Sequence, residues 1–248
     1  MNPPPSSTPA ALAFDAISKR FGHAEALSNL GLEVRTGEAF GLVGLNGAGK
    51  TTLIKCLLDF CALDTGRISI FGVGHRQAGA RGRLAYLPER FIPPYYLKGR
   101  DFLRFMLTLH GVQYRESATG EMLDTLDLDR AALDKPVRSF SKGMSQKLGL
   151  AACMLSAKDL FVLDEPTSGL DPKARALLKG RLLDLRKAGH TVFLTSHSLA
   201  DVQEICDRMA IIHRGKLCFA GAPAQLQQKY AAPSLEEGFL ACIAAAAN

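Results

Sequence analysis

The stretch GLVGLNGAGKTTLIKCL, residues 41–57, crowds four glycines and Lys50 between an apolar run and a helix-forming segment. Gly44, Gly49, Lys50 and Thr51 satisfy the spacing G-x-x-x-x-G-K-[ST], with an apolar strand before it and a helix after it. The chemistry this spacing serves is the binding of a polyphosphate. Glycine, lacking Cβ, lets the chain make a tight loop whose N–H groups converge on an anion, and the helix N-terminus adds a favourable dipole. Gly44, Leu45, Asn46, Gly47, Ala48, Gly49 and Thr52 are therefore expected around the phosphates. Lys50 reaches the β and γ phosphates, and the Thr51 hydroxyl is placed to ligate Mg²⁺. The loop implies a nucleotide without naming a family.

A second constellation is LFVLDEP, residues 160–166, a buried-strand pattern that ends in two acids. An acid at the C-terminal end of a strand lies on the edge where open α/β sheets bind ligands. Asp164 would hold Mg²⁺ or its water, and Glu165 could serve as general base for an attacking water. Taken alone, a strand ending in Asp-Glu is common; beside a phosphate loop it becomes strong evidence of nucleotide chemistry.

These residues need a scaffold, and the chain supplies its signals. Strand-like runs fall at residues 12–17, 30–34, 39–43, 68–71, 84–87, 160–163, 191–195 and 209–213. Several are short, continuous and apolar, the form taken by strands covered by helices on both faces. Asp171 and Pro172 suit the N-cap and N1 of a helix running through Lys187, and Ser198 followed by Asp201 suits the next cap. Between residues 99 and 157 the strand signal gives way to helical periodicity, which reads as a helical insert. IIHRGKLCFAG reads as a hairpin about Arg214 and Gly215, and residues 235–247 as a short helix. The fold class expected is α/β with a largely parallel central sheet.

Composition narrows the function classes. The 248 residues, 47% hydrophobic and 22% charged, suit one sizeable core or a core with a subdomain. Six cysteines are scattered without a CxxC pair, and the opening MNPPPSSTPA lacks the basic segment and apolar core of an export signal. Reduced thiols and a cytoplasmic location are expected. That opening, rich in Pro and Ser, reads as a disordered tail. No window approaches the roughly 20 apolar residues of a membrane span, so any membrane partner is another chain. The net charge of +6 comes from 30 basic residues spread without a basic tract, and no nucleic acid is expected as a partner.

FSKGMSQKLGLA at residues 140–151, shortly before the two acids, resembles the signature of the ATP-binding subunits of ABC transporters. TSGLD at residues 167–171 is similar to the family's D-loop, LTSH ending at His197 to its switch histidine, and Phe21 in KRFG to its adenine-stacking aromatic. The resemblance covers about residues 12–230. It implies the P-loop ABC ATPase fold, with an N-terminal antiparallel β part and a helical subdomain inserted into the α/β core. The divisions expected are a tail at 1–11, an ATP-binding domain at 12–232 with its helical subdomain at 99–157, and a helical extension at 233–248.

The resemblance also implies ATP and Mg²⁺ as cofactors and a second copy of the chain as partner. Ser141 and the backbone at Gly143 would reach an ATP held by the partner's Lys50, Asp171 would couple the two sites, Glu165 would activate water and His197 would orient it. Separate integral membrane subunits would receive the motion, placing the chain peripherally on the cytoplasmic face of the cell membrane. Residues 91–105, FIPPYYLKGRDFLRF, correspond to the family's docking groove for them. Two departures stand out. Lys142 and Met144 replace the commonest Gly and Gln of the signature, and Glu89 occupies the γ-phosphate-sensing position usually held by Gln, where it could still accept from a metal-bound water. Both variants look like those of exporter subunits. The competing reading is a soluble ABC-type ATPase acting on ribosomes or DNA, but such relatives usually carry paired ATPase domains or a long coiled-coil insertion. A nucleotide-binding regulator without turnover conflicts with Glu165 and His197 both being present.

Overall fold

The computed structural model describes residues 10–247. Residues 1–9 of the expected tail lie outside the described residues, but Ala10 and Ala11 do not belong to a tail. They open Ala10–Phe21 (β1), where Ala11 is fully buried and its carbonyl accepts from the Phe71 N–H. β1 pairs antiparallel with Ala24–Arg35 (β2), in which Leu30, Leu32 and Val34 alternate with exposed neighbours, as a strand with one solvated face must. After Ala39–Val43 (β3) and Lys50–Leu57 (α1), the strands Thr65–Ile70 (β4) and Val73–Gly74 (β5) complete a four-stranded antiparallel sheet in the order β2-β1-β4-β5. β4 begins three residues before its apolar run, because its exposed Thr65–Arg67 segment is held by backbone pairing with β1 and not by burial.

A short helix, Ala78–Arg81 (α2), leads to Leu84–Leu87 (β6), and the helical segment follows. Its helices are Gly99–Leu109 (α3), Glu116–Thr125 (α4) and Lys142–Leu155 (α5), with two 3₁₀ turns before the last. An isolated bridge between Lys98 and Pro136 closes its base, and Arg100 pairs with both Glu116 and Asp134. The chain then alternates: Leu160–Asp164 (β7), Pro172–Lys187 (α6), Thr191–Thr195 (β8), Leu199–Ile205 (α7), Arg208–His213 (β9) and Lys216–Gly221 (β10). Pro223–Tyr230 (α8) and Leu235–Ala247 (α9) finish it. The Asp171 carboxylate accepts from the Ala174 N–H at 2.9 Å to cap α6, and the Ser198 hydroxyl accepts from Asp201 at 3.3 Å to cap α7.

The six-stranded sheet runs β10-β9-β3-β8-β7-β6, parallel throughout except for the β9–β10 hairpin. Every residue of β3, β7 and β8 is buried, and their side chains divide between two cores. Phe40, Leu42, Val162 and Phe193 face the antiparallel sheet and α1; Val43, Phe161, Leu163 and Leu194 face the helical segment, α6, α7 and α9. That period of two is why these strands read as unbroken apolar runs. The turn of the hairpin is the Arg214–Gly215 pair, both at positive φ (47° and 76°), as a two-residue hairpin turn requires. All six cysteines are free, and among the described residues no helix is long and apolar enough to cross a membrane.

Candidate nucleotide site

The loop between β3 and α1 lines a cavity of about 640 Å³, with every residue from 44 to 52 in its wall. Two glycines are forced by close approach. A Cβ at Gly44 would lie 2.4 Å from the Ile212 carbonyl, and one at Gly49, where φ is 111°, would lie 2.7 Å from the Ala26 carbonyl. The β9–β10 turn braces the loop from behind: Gly215 N–H donates to the Ala48 carbonyl, and the Gly215 carbonyl accepts from Ser28, each at 2.9 Å. Gly49 caps α1 without a side-chain acceptor, so the first-turn N–H groups remain available to an anion. Lys50 Nζ donates to the Gly44 carbonyl at 2.6 Å and to the Leu45 carbonyl at 3.4 Å. Burial pushes its ammonium below the ordinary value, and the carboxylates of Glu165, Asp164 and Glu89 pull it back.

Sheet register delivers the acids. Leu42 and Asp164 both pair with Thr195, so the C-terminal ends of three parallel strands meet beside the loop. Asp164 is 4% exposed and accepts from the Thr195 hydroxyl at 2.6 Å. Burial raises its carboxyl above the ordinary range; the Thr195 bond opposes that, the charges of Glu89 and Glu165 add to it, and Lys50 offsets part of it. Glu165 has φ of 50°, uncommon for a residue with a Cβ, and its N–H donates to Thr195 Oγ at 2.9 Å. Its Oε2 accepts from the His197 N–H at 3.3 Å and meets His197 Nδ1 at 2.7 Å. The His197 ring itself is largely exposed at the cavity rim.

Asp164 and the Thr51 hydroxyl line one cavity, and they fit Mg²⁺ chemically. That ion prefers one or two hard protein oxygens and completes its octahedron with water and phosphate. Among the described residues no three His, Cys, Asp or Glu side chains form a metal cage. Glu89 lines the same cavity as an exposed carboxylate and also borders a second groove of about 440 Å³ with Phe91, Tyr95 and Lys142.

The remaining expected residues lie elsewhere. Phe21 is 52% exposed at the end of β1, outside the cavity wall, with Lys19 Nζ 5.3 Å from its ring centroid. Ser141 caps α5 by accepting from the Met144 N–H at 3.1 Å. Gly143 and Asp171 gather with it around residues 166–171: a Cβ on Gly143 would sit 3.1 Å from the Gly169 carbonyl, Gln146 donates to the Pro166 carbonyl at 3.3 Å, and Lys147 Nζ stands 3.9 Å from Asp171. The Lys142 stem lies across Gly169. One chain thus brings Lys50, Thr51, Asp164, Glu165 and His197 together and holds Ser141, Gly143 and Asp171 as a separate group.

A family model described as ABC transporter matches residues 27–168, more than half of the chain. This chain belongs to the ABC transporter family. An ABC transporter ATP-binding protein of Synechocystis is 41% identical over 207 residues, covering 82% of this chain and 58% of that protein. The Nod factor export ATP-binding protein I of Burkholderia orbicola is 35% identical over 221 residues, covering 88% and 72%. Among solved structures, an ATP-binding subunit of an ABC transporter superposes with a TM-score of 0.86 at 28% identity, covering 94% of this chain and 99% of that one. A dimeric ATP-binding cassette in a post-hydrolysis state with ADP and phosphate shares the fold, with a TM-score of 0.76 at 18% identity over 85% and 98%. The chain spans about three-fifths of the length of two cyanobacterial relatives, 58% and 61%.

Three residues of this ABC ATP-binding chain enter the cavity wall without any sequence signal, Ala26, Leu199 and Phe239, and Ser168 of the TSGLD segment joins them there. Phe239 comes from α9, the helix whose purpose the sequence leaves open, and is 8% exposed. Thr195 stands inside the LTSH motif, but only the pairing of β7 with β8 reveals its two bonds.

The strained charge on Asp164 yields a stability prediction. A carboxyl whose folded value is raised destabilises the folded state at neutral pH, and stability returns as pH falls through that raised value. Asp164→Asn keeps an oxygen to accept from Thr195 and removes the charge. The nucleotide-free variant is expected to melt about 2–4 °C higher at neutral pH for each kcal/mol relieved, a gap that narrows in acid. Scanning calorimetry across pH checks it; an unchanged or lower Tm at pH 7 would count against the burial argument.

Proposed function

We propose that this chain is an ATP-hydrolysing motor subunit that dimerises on ATP and drives export through separate membrane subunits. The observation that carries the proposal is the meeting of the phosphate loop, Asp164, Glu165 and His197 in one cavity. In this reading the N–H groups of the loop and α1 hold the phosphates, and Lys50 leaves the Gly44 carbonyl for the β and γ oxygens. Asp164 and Thr51 would hold Mg²⁺, whose chemistry there is to neutralise charge on the phosphate oxygens. Glu165 takes the proton from the attacking water. His197, bonded twice to Oε2, leaves Oε1 without a protein partner among the described residues and so available to that water.

The site is incomplete in one chain. Ser141, Gly143 and Asp171 form a group outside the cavity, as a head-to-tail dimer would require, each copy closing the other's γ-phosphate. The related dimeric cassette with ADP and phosphate supports this arrangement at the level of the fold. Phe21, exposed at the strand end, would stack on adenine once the nucleotide is bound. Hydrolysis then removes the contacts that hold the dimer closed and converts phosphate loss into subunit motion. Export is supported by the relatives named for Nod factor export. The exposed Ile92, Tyr95 and Tyr96 beside the Glu89 groove supply an apolar surface for a membrane subunit, which would hold the chain at the cytoplasmic face.

Affinity capture of the tagged chain from detergent-solubilised membranes is expected to recover a multi-spanning protein, with Mg²⁺-dependent ATPase activity in the eluate. Recovery of ribosomes or DNA and no multi-spanning protein would overturn the transport reading.

A further inference from the structure

Thr195 is fully buried at the end of β8, directly across from Asp164 in the parallel register. A threonine hydroxyl has one hydrogen to give and lone pairs to receive. The backbone N–H of Glu165 can only donate, so at 2.9 Å Thr195 Oγ is the acceptor there. Its single hydrogen is therefore directed to Asp164 Oδ1 at 2.6 Å, the distance of a hydrogen bond to a charged oxygen. One hydroxyl thus spans the two adjacent acids.

Two consequences follow for the chemistry. With Oδ1 engaged, the carboxylate of Asp164 cannot turn freely, and Oδ2 is left to the cavity that Asp164 lines. Glu165, meanwhile, is kept at φ of 50° by two bonds, its N–H to Thr195 and its carbonyl from the Ser168 N–H at 3.0 Å. Threonine suits the position better than serine because its branched Cβ restricts χ1 and so fixes the direction of Oγ.

We propose that Thr195 is a positioning residue for the nucleotide reaction, setting the orientation of Asp164 toward the divalent cation and of Glu165 toward water through one shared hydroxyl. The inference rests on the metal and base assignments of the preceding section. Thr195→Val keeps the volume and removes the hydroxyl, leaving a buried N–H and a carboxylate oxygen without their partner.

The test uses ADP with and without Mn²⁺ on the whole chain. By calorimetry, Thr195→Val is expected to bind ADP in EDTA within about twofold of the parent, because Thr195 does not line the phosphate cavity. Mn²⁺ affinity of the ADP complex, read from its electron paramagnetic resonance, is expected to fall about 10–100-fold. At saturating metal the kcat of ATP hydrolysis falls while KM changes little, and Thr195→Ser restores most of both losses. Thr195→Ala serves the same comparison if the valine variant is insoluble. Parental Mn²⁺ affinity in the valine variant, or a serine variant no better than valine, overturns the proposal. Asp164→Asn is the control: if it retains parental Mn²⁺ affinity, the metal assignment itself is wrong. If it loses that affinity while Thr195→Val does not, only the role of Thr195 is rejected.

Discussion

Glu165→Gln is expected to bind ATP, remain locked as an ATP-bound dimer and turn over about 10²–10⁴-fold more slowly, the range contributed by a positioned general base. The substitution keeps the side chain's shape and an oxygen that can accept from the His197 N–H. It removes the carboxylate proposed to take a proton from water. The phosphate loop is untouched, since its N–H groups lie between β3 and α1, Lys50 opens α1, and Glu165 follows β7. Binding and chemistry should therefore separate cleanly. Size-exclusion chromatography with ATP, paired with phosphate release, tests both halves. A variant that stays monomeric and hydrolyses ATP at the parental rate would reject Glu165 as the base and the dimer model with it.

Lys50→Ala is expected to fail one step earlier, at binding. Charged hydrogen bonds contribute about 1.5–3 kcal/mol each, so loss of the ammonium weakens ATP affinity by roughly 10–100-fold. A further cost comes from the cavity itself. Lys50 is the cation whose charge offsets the burial of Asp164, and without it the carboxylates of Asp164, Glu165 and Glu89 repel both one another and the incoming phosphates. ADP should lose less than ATP, because it lacks the γ-phosphate that Lys50 would reach. Calorimetric titration with both nucleotides distinguishes this: equal ATP affinity in parent and variant would remove Lys50 from the phosphate site.

The site was legible in the sequence wherever backbone geometry demands particular residues. Gly44 and Gly49 stand where a carbonyl of another strand comes within 2.4 and 2.7 Å of a Cβ, so no other residue fits and the motif announces itself. The strand LFVLD was legible because both of its faces are covered, and the caps Asp171 and Ser198 because they act within three residues. Features that depend on distant pairing were not. Thr195 bridges Asp164 and Glu165 only through the β7–β8 register, thirty-one and thirty residues away in sequence. Phe239 enters the cavity wall because α9 packs on α7, which its Ala-rich composition does not encode. The start of β1 departs from the expected tail for a related reason. Ala10 and Ala11 follow a Pro- and Ser-rich run, and what orders them is pairing with residues of β2 and the Phe71 turn.

The brace from Gly215 to Ala48 has a consequence in time. The phosphate loop is written early in the chain, but the turn that backs it emerges roughly 170 residues later, and at about 5–20 residues per second that is on the order of 10–30 s of synthesis. Its strand, β3, likewise waits for both sheet neighbours, β8 and β9. Throughout that interval the growing chain carries the whole glycine motif without the turn and the neighbouring strands that brace it in the folded protein.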